Sequence, residues 1–237
     1  MKRSIIATED GSKTIHLEEW NETYHSTHGA VQEAFHVFIK NGLYFYINQN
    51  KEIKILEIGL GTGLNSFITF LESEKNKLSI TYVGVEKFPI KENEFEAINY
   101  FDDVFKFYPE FAERRDEFFI YYQKMFSCNW EEEVVITPNF KFTKLEKDFF
   151  DLKDNLHRGF DLVYFDAFGS KVQPELWEDE LLTIVSDLMQ PSSILTTYAA
   201  KGSLKRALKA QGFKVEKRPG PPGKREMMVS FREFSYE

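Results

Sequence analysis

Apolar residues fall in three runs that each end on a charged or small residue. Ile53 to Ile58 (IKILEI) leads into Gly59, Leu78 to Val85 (LSITYVGV) into Glu86, and Phe160 to Phe165 (FDLVYF) into Asp166. Runs this short and this apolar read as strands buried on both faces, the mark of a parallel sheet. Between them the spacing turns helical. Asn65 to Glu74 predicts a helix behind the first strand, Pro89 opens another, and Pro109 to Met125 predicts a helix buried along one aromatic face. Val134 to Lys147 reads as one or two strands leading to Asp148. Leu181 to Met189 predicts a helix, Ser193 to Tyr198 a strand, and Ser203 to Gln211 a helix stopped by Gly212. Phe213 to Arg218 and Glu226 to Phe231 then look like paired strands around the loop PGPPGKR.

Upstream, Ile5 to Leu17 alternates around Glu9-Asp10-Gly11, a strong hairpin signal. The polar ETYHSTHG stretch follows, where His25 and His28 either line a site or cap a helix start, and Ala30 to Ile39 carries helically spaced apolar residues. The expected organisation is an extension over residues 1–50, a hairpin and a helix, packed on a main α/β domain over 51–237. That domain should be a Rossmann-like, mostly parallel sheet with an antiparallel last strand.

The first run enters GLGTGLN, with glycine at 59, 61 and 63. Glycine has no Cβ, so such a turn reaches backbone angles closed to other residues and lets a ligand lie on the main chain. In a doubly wound sheet the ligand sits beyond the carboxyl ends of the strands, where strand order reverses. Gly59 and Asp166 should therefore face each other across one cleft. Glu86, at the tip of the second strand, is placed to accept hydrogen bonds from the ribose hydroxyls of an adenosine.

Leu64 stands where a dinucleotide fingerprint needs its third glycine, which disfavours NAD or FAD, and the absence of a following Lys-Ser or Lys-Thr pair excludes a P-loop. The spacing G-x-G-x-G instead resembles the first motif of S-adenosylmethionine-dependent methyltransferases. That cofactor has no phosphates but carries a sulfonium, an amino acid tail and an adenosine. Acids should then line the pocket, and Glu57, Glu86, Asp148 and Asp166 lie near strand ends.

Composition adds limits. No apolar run approaches the roughly 18 residues of a membrane span, and the N-terminus lacks the apolar core of a signal peptide, so a soluble cytoplasmic protein is expected. The one cysteine, Cys128, permits no internal disulfide and no multi-cysteine cluster, and no metal is expected. The net charge of −8 argues against nucleic acid, but nine Lys or Arg residues between Lys201 and Arg225 face a single acid, Glu216. Either that segment is a solvated basic face or it meets phosphates.

GLGTGLN (Gly59 to Asn65), EKFP (Glu86 to Pro89), DAFGSKVQPELW (Asp166 to Trp177), GKREMM (Gly223 to Met228) and TYHSTHGAVQEAFHVFI together resemble the methyltransferase half of the bifunctional tRNA 5-methylaminomethyl-2-thiouridine biosynthesis enzymes and their stand-alone relatives. The likeness spans nearly the whole chain. It departs from the family pattern at Gly169-Ser170, where Ala-Pro is usual, and at Val172-Gln173, where Lys-Asn is usual.

The resemblance implies transfer of a methyl group from S-adenosylmethionine to 5-aminomethyl-(2-thio)uridine at the wobble position of the tRNA anticodon stem-loop. It implies a cofactor set of Glu57, Gly59, Gly61, Gly63, Asn65, Glu86, Lys87 and Asp148. Asp166 is the expected catalytic residue, orienting the amine and accepting its proton. Phe168, Trp177 and Tyr198, with Phe88 beside them, are placed to stack on the splayed base, and Lys224 and Arg225 to meet stem phosphates. The bifunctional members carry a flavin-dependent oxidase half after the methyltransferase. This chain stops at Glu237, so methylation alone is expected, with a separate enzyme supplying the aminomethyl arm. Two other readings stay open: an enzyme acting on small amines, whether a methyltransferase or a polyamine aminopropyltransferase of the same fold, and a non-catalytic binding module on this scaffold.

Overall fold

The computed structural model describes residues 2–49, 52–156 and 158–232, with backbone alone at 154 and 155. The expected boundary at 50/51 and the chain end at Glu237 lie outside the described residues. Strands β1 (Arg3–Ala7), β2 (Lys13–Leu17) and β3 (Glu22–Thr23) form a small antiparallel sheet. The Asp10 carboxylate fixes the β1–β2 turn by accepting the Ser12 N–H at 3.0 Å, and Gly11 takes φ 85° there. Helix α1 (Ala30–Ala34) continues as a π-helical turn, Phe35–Lys40. Such turns recur at functional sites.

The main sheet begins with β4 (Ile53–Ile58), α2 (Leu64–Asn76) and β5 (Ile80–Glu86). Next come α3 (Glu92–Ile98), α4 (Tyr100–Phe105) and α5 (Arg115–Ser127), then a hairpin of β6 (Glu133–Thr137) and β7 (Phe140–Glu146). A short α6 (Leu152–Asn155) precedes β8 (Phe160–Phe165), α7 (Asp179–Leu188), β9 (Met189–Thr197), α8 (Gly202–Ala210), β10 (Phe213–Pro219) and β11 (Glu226–Arg232). The eight strands run in the order β10-β11-β9-β8-β4-β5-β7-β6. Pairing is parallel from β9 through β7, while β11 runs antiparallel to both β9 and β10. No helix among the described residues is long and apolar enough to cross a membrane.

Two expectations shift. Pro89 lies in a loop and the helix behind it starts only at Glu92. The segment expected as one helix from Pro109 is a 3-10 turn, Pro109–Arg114, before α5, because Arg114 leaves helical geometry at φ −108°, ψ 20°.

Side chains alternate between two cores, one on each face of the sheet. Ile53, Ile55, Tyr82, Leu162 and Tyr164 pack with α2, the α3–α5 region and the N-terminal segment, while Leu56, Ile58, Val83, Val163 and Phe165 pack with α7 and α8. Glu57 is in phase with the first set and is therefore driven inside, under α2. Strand order reverses between β4 and β8, whose C-terminal ends carry Gly59 and Asp166.

Candidate active site

The turn after β4 takes φ 93° at Gly59 and 54° at Gly61. A Cβ at Gly59 would stand 2.7 Å from the Asp166 carbonyl oxygen, so the turn lies directly against the end of β8. Glu86 locks the other side. Its Oε2 accepts the Gly61 N–H at 3.0 Å and its Oε1 accepts the Phe88 N–H at 2.9 Å. Burial pushes the Glu86 carboxyl above its usual range, while these two N–H donors pull it back.

A cleft of about 540 Å³ opens over these strand ends. Gly59, Gly61, Glu86, Lys87 and Asp148 are among its lining residues. Lys87 Nζ donates to Asp148 Oδ2 at 2.6 Å, and Asp148 Oδ1 caps the following 3-10 turn by accepting the Phe150 N–H at 3.1 Å. Burial alone would raise the Asp148 carboxyl, but the Lys87 bond and the Phe150 N–H hold it below its usual value.

Asp166 forms the floor, half-buried. The Asn65 amide donates to Asp166 Oδ2 at 2.8 Å and to Glu57 Oε1 at 2.8 Å, and Tyr82 OH donates to Glu57 Oε2 at 2.7 Å. Loss of solvent, reinforced by the Glu33 charge, pushes the Asp166 carboxyl well above the usual range, against the Asn65 bond and Lys224. Glu57 is likewise pushed well up by burial, against its Tyr82 and Asn65 donors.

The wall facing Asp166 is aromatic. Phe168 meets Tyr24 and Trp20 edge-on, at 5.0 and 5.7 Å between ring centroids. Tyr198 OH donates to the Ala167 carbonyl at 2.8 Å, and Trp177 Nε1 donates to the Phe168 carbonyl at 2.7 Å. Both bonds tether rings to the segment that carries Asp166. His25 donates or accepts through Nε2 at 2.8 Å from Thr62 Oγ1, and burial lowers its imidazole to about 4, so it is neutral at pH 7.

The sequence-derived set is thus brought together in part. Gly59, Gly61, Glu86, Lys87, Asp148, Asp166, Phe168, Trp177, Tyr198, Lys224, His25 and Phe88 all line the cleft. Glu57 and Asn65 lie behind it, fully buried, and act on it through Asp166. Gly63 opens on a neighbouring cavity beside α5, and Arg225 is exposed outside the cleft. His28 is outside as well, bonded through Nδ1 to Glu9 at 3.0 Å. Lys224 does not face outward to meet phosphates. Its ammonium turns inward, pairs with Glu33 and lies 3.7 Å from the centre of the Tyr198 ring.

Glu33, Trp20 and Tyr24 also line the cleft and were not among the sequence-derived site residues, and Lys201, read from the sequence only as part of the basic segment, lines it too. Glu33 left a trace in the sequence, as an acid on an apolar helix beside Ala34. Its side chain is buried, with Oε2 accepting the Ser26 N–H at 2.8 Å.

The donor set suits S-adenosylmethionine. The turn leaves no room for a side chain at Gly59, Glu86 offers a carboxylate at the tip of the second strand, and Asn65 Oδ1 is a buried acceptor with no partner among the described residues. No group of three or more metal-ligating side chains occurs among the described residues. A family model described as S-adenosyl-L-methionine-dependent methyltransferase matches residues 113–233. The tRNA 5-methylaminomethyl-2-thiouridine biosynthesis bifunctional protein MnmC of Leptospira interrogans is 27% identical over 219 residues, covering 90% of this chain and 33% of that protein. The protein of the same name from Actinobacillus pleuropneumoniae is 29% identical over 231 residues, covering 89% of this chain and 32% of that one. The chain therefore spans about a third of the curated relatives it matches. The crystal structure of MNMC2 from Aquifex aeolicus superposes with a TM-score of 0.74 at 23% identity, covering 97% of this chain and 70% of that one, a likeness of fold. With the family model over half the chain and the glycine turn, Glu86 and Asp166 gathered at one cleft, the chain belongs to the S-adenosyl-L-methionine-dependent methyltransferases.

Proposed function

We propose that the chain methylates the primary amine of 5-aminomethyl-(2-thio)uridine at the wobble position of tRNA, giving the 5-methylaminomethyl product. The carrying observation is Asp166: one carboxylate oxygen is held by Asn65 while the group sits at the cleft floor, next to the glycine turn and under the aromatic wall. The names of the matched relatives point to the same substrate.

When bound, S-adenosylmethionine supplies an electrophilic methyl on its sulfonium. The Gly59–Gly63 turn and Glu86 would hold the cofactor, with Lys87 and Asp148 beside them at the strand ends. Phe168, Trp177 and Tyr198 receive the splayed base, whose stacking on aromatic rings is worth about 1–3 kcal/mol. Alignment of amine and methyl for in-line displacement contributes up to roughly 7–11 kcal/mol. An alkylammonium has no lone pair to attack with, so a proton must leave it. Asp166 accepts that proton directly or through water, and its raised proton affinity suits the task.

The chain acts on substrate delivered by a separate enzyme that builds the aminomethyl arm, in the cytoplasm, with the basic edge of α8 and Arg225 toward the anticodon stem. Labelled S-adenosylmethionine incubated with the protein and tRNA from cells lacking the final step, followed by digestion to nucleosides, tests the assignment. Label in 5-methylaminomethyl uridine is expected. Label only in small amines would overturn it.

A further inference from the structure

Lys224 occupies a cage for a primary ammonium built from other parts of the chain. Glu33, from α1, presents Oε1 to the Lys224 ammonium while its Oε2 is fixed by the Ser26 N–H. Tyr198, at the end of β9, presents its ring face to the same ammonium at 3.7 Å, and its hydroxyl is fixed by the Ala167 carbonyl. A carboxylate and an aromatic face together are the chemistry that recognises alkylammonium groups. Both walls are held without Lys224's help.

The occupant differs from its cage. The Lys224 side chain is 32% exposed and Glu33 only 8%, so the lysine can swing toward solvent while the carboxylate stays at the cleft wall. A buried carboxylate stripped of its counter-charge is costly, so Glu33 demands a replacement cation whenever Lys224 leaves. The end of a lysine side chain is a CH₂–NH₃⁺ group, chemically the same as an aminomethyl arm. The cage also lies in the cleft floored by Asp166, close enough for the Glu33 and Lys224 charges to act on that carboxyl.

We infer that Glu33 and the Tyr198 ring form the subsite for the substrate's primary ammonium, and that Lys224 is an internal occupant which the incoming amine displaces. The inference rests on the proposed function for the identity of the amine, but the cage itself does not. Once the arm is seated, Glu33 orients it, a proton passes from nitrogen to Asp166, and the freed lone pair forms the N–C bond as the S–C bond breaks and its electrons return to sulfur. Lys224, swung out, is then available to the nucleic acid.

Methylammonium chloride is the probe, titrated by calorimetry in the presence of S-adenosylhomocysteine, with sodium chloride as control. An occupant holding the cage nine-tenths of the time weakens an external ligand about tenfold. Lys224→Met should therefore bind methylammonium about tenfold more tightly than the wild type, and adding Glu33→Gln should abolish the gain. Equal binding in the wild type and Lys224→Met, or a gain that survives Glu33→Gln, would overturn the inference. The wild-type protein supplies a second measurement that needs no variant to fold. The Lys224 methylene protons, shifted upfield by the Tyr198 ring, should move toward the position of a solvated lysine as methylammonium is added. Unmoved signals would also overturn it. A cage that binds methylammonium in a protein that fails to methylate tRNA would leave the inference standing and sink the tRNA assignment instead.

Discussion

The Asn65 amide stands 2.8 Å from Asp166 Oδ2. The same nitrogen is 2.8 Å from Glu57 Oε1, so one amide ties the carboxyl at the cleft floor to another buried beneath it. Asp166 is thereby aimed by a residue on α2, which is itself held by a residue on β4.

Asp166→Asn should lower methyl transfer by about 10²–10⁴-fold with little change in melting temperature, the range for loss of a positioned proton acceptor. Asn65→Ala should lower it as well, by removing the bond that orients Asp166. Single-turnover rates at saturating cofactor, with circular dichroism to verify folding, measure both. Undiminished transfer by folded Asp166→Asn would remove Asp166 from the mechanism.

Glu57 makes stability depend on pH. Its folded-state pKa is raised above the ordinary 4.5, so the folded protein holds this proton more tightly than the unfolded chain. The contribution is present in full below pH 4.5 and is lost as pH rises through the folded-state value. Glu57→Gln should therefore flatten the decline in melting temperature as pH rises above 4.5. A parallel decline in the variant would mean that Glu57 carries no such linkage.

The glycines of the turn should differ in their tolerance of alanine. Gly59→Ala places a methyl 2.7 Å from the Asp166 carbonyl oxygen at φ 93°, where backbone must move. Gly63→Ala meets nothing closer than Ser66 Oγ at 3.6 Å, at φ 77°. The second change costs only the left-handed conformation, about 1–2 kcal/mol, while the first should also displace Asp166 and cut cofactor affinity. Calorimetric titration with S-adenosylhomocysteine beside thermal melts separates them, and equal losses at the two positions would contradict the packing argument.

The basic segment is not uniformly available to phosphates. Lys217 pairs with Glu226 at 2.6 Å, Arg218 with Glu216 at 3.0 Å and Lys224 with Glu33. Lys201, Arg206, Lys209 and Arg225 are exposed, and Arg225 feels the Glu226 carboxylate only through its charge. Lys201→Glu with Arg225→Glu should weaken tRNA binding and reduce the salt slope by about 0.7–0.9 for each phosphate no longer neutralised. Lys217→Glu should do less. An unchanged slope in the double variant would move the RNA to another face.

Sequence alone determined the sheet and the strand ends over which the cleft opens. Parallel strands buried on both faces must be apolar along their length, so their ends announce themselves where a glycine or an acid breaks the run, and those ends are where the cleft opens. Gly59, Gly61, Glu86, Asp148 and Asp166 were legible for that reason, as was the antiparallel pairing of β10 with β11 around a proline and glycine loop. Tertiary structure decided the rest. Glu57 looked like a cofactor ligand from its place near a strand end, but the two-residue alternation of β4 turns it under α2 to hold Asn65. Glu33 and Lys224 are 191 residues apart in the chain, and no local pattern joins them. Only the packing of α1 against the β10–β11 loop brings that acid, that lysine and the Tyr198 ring to one point. A charge's meaning depends on the partner the fold supplies.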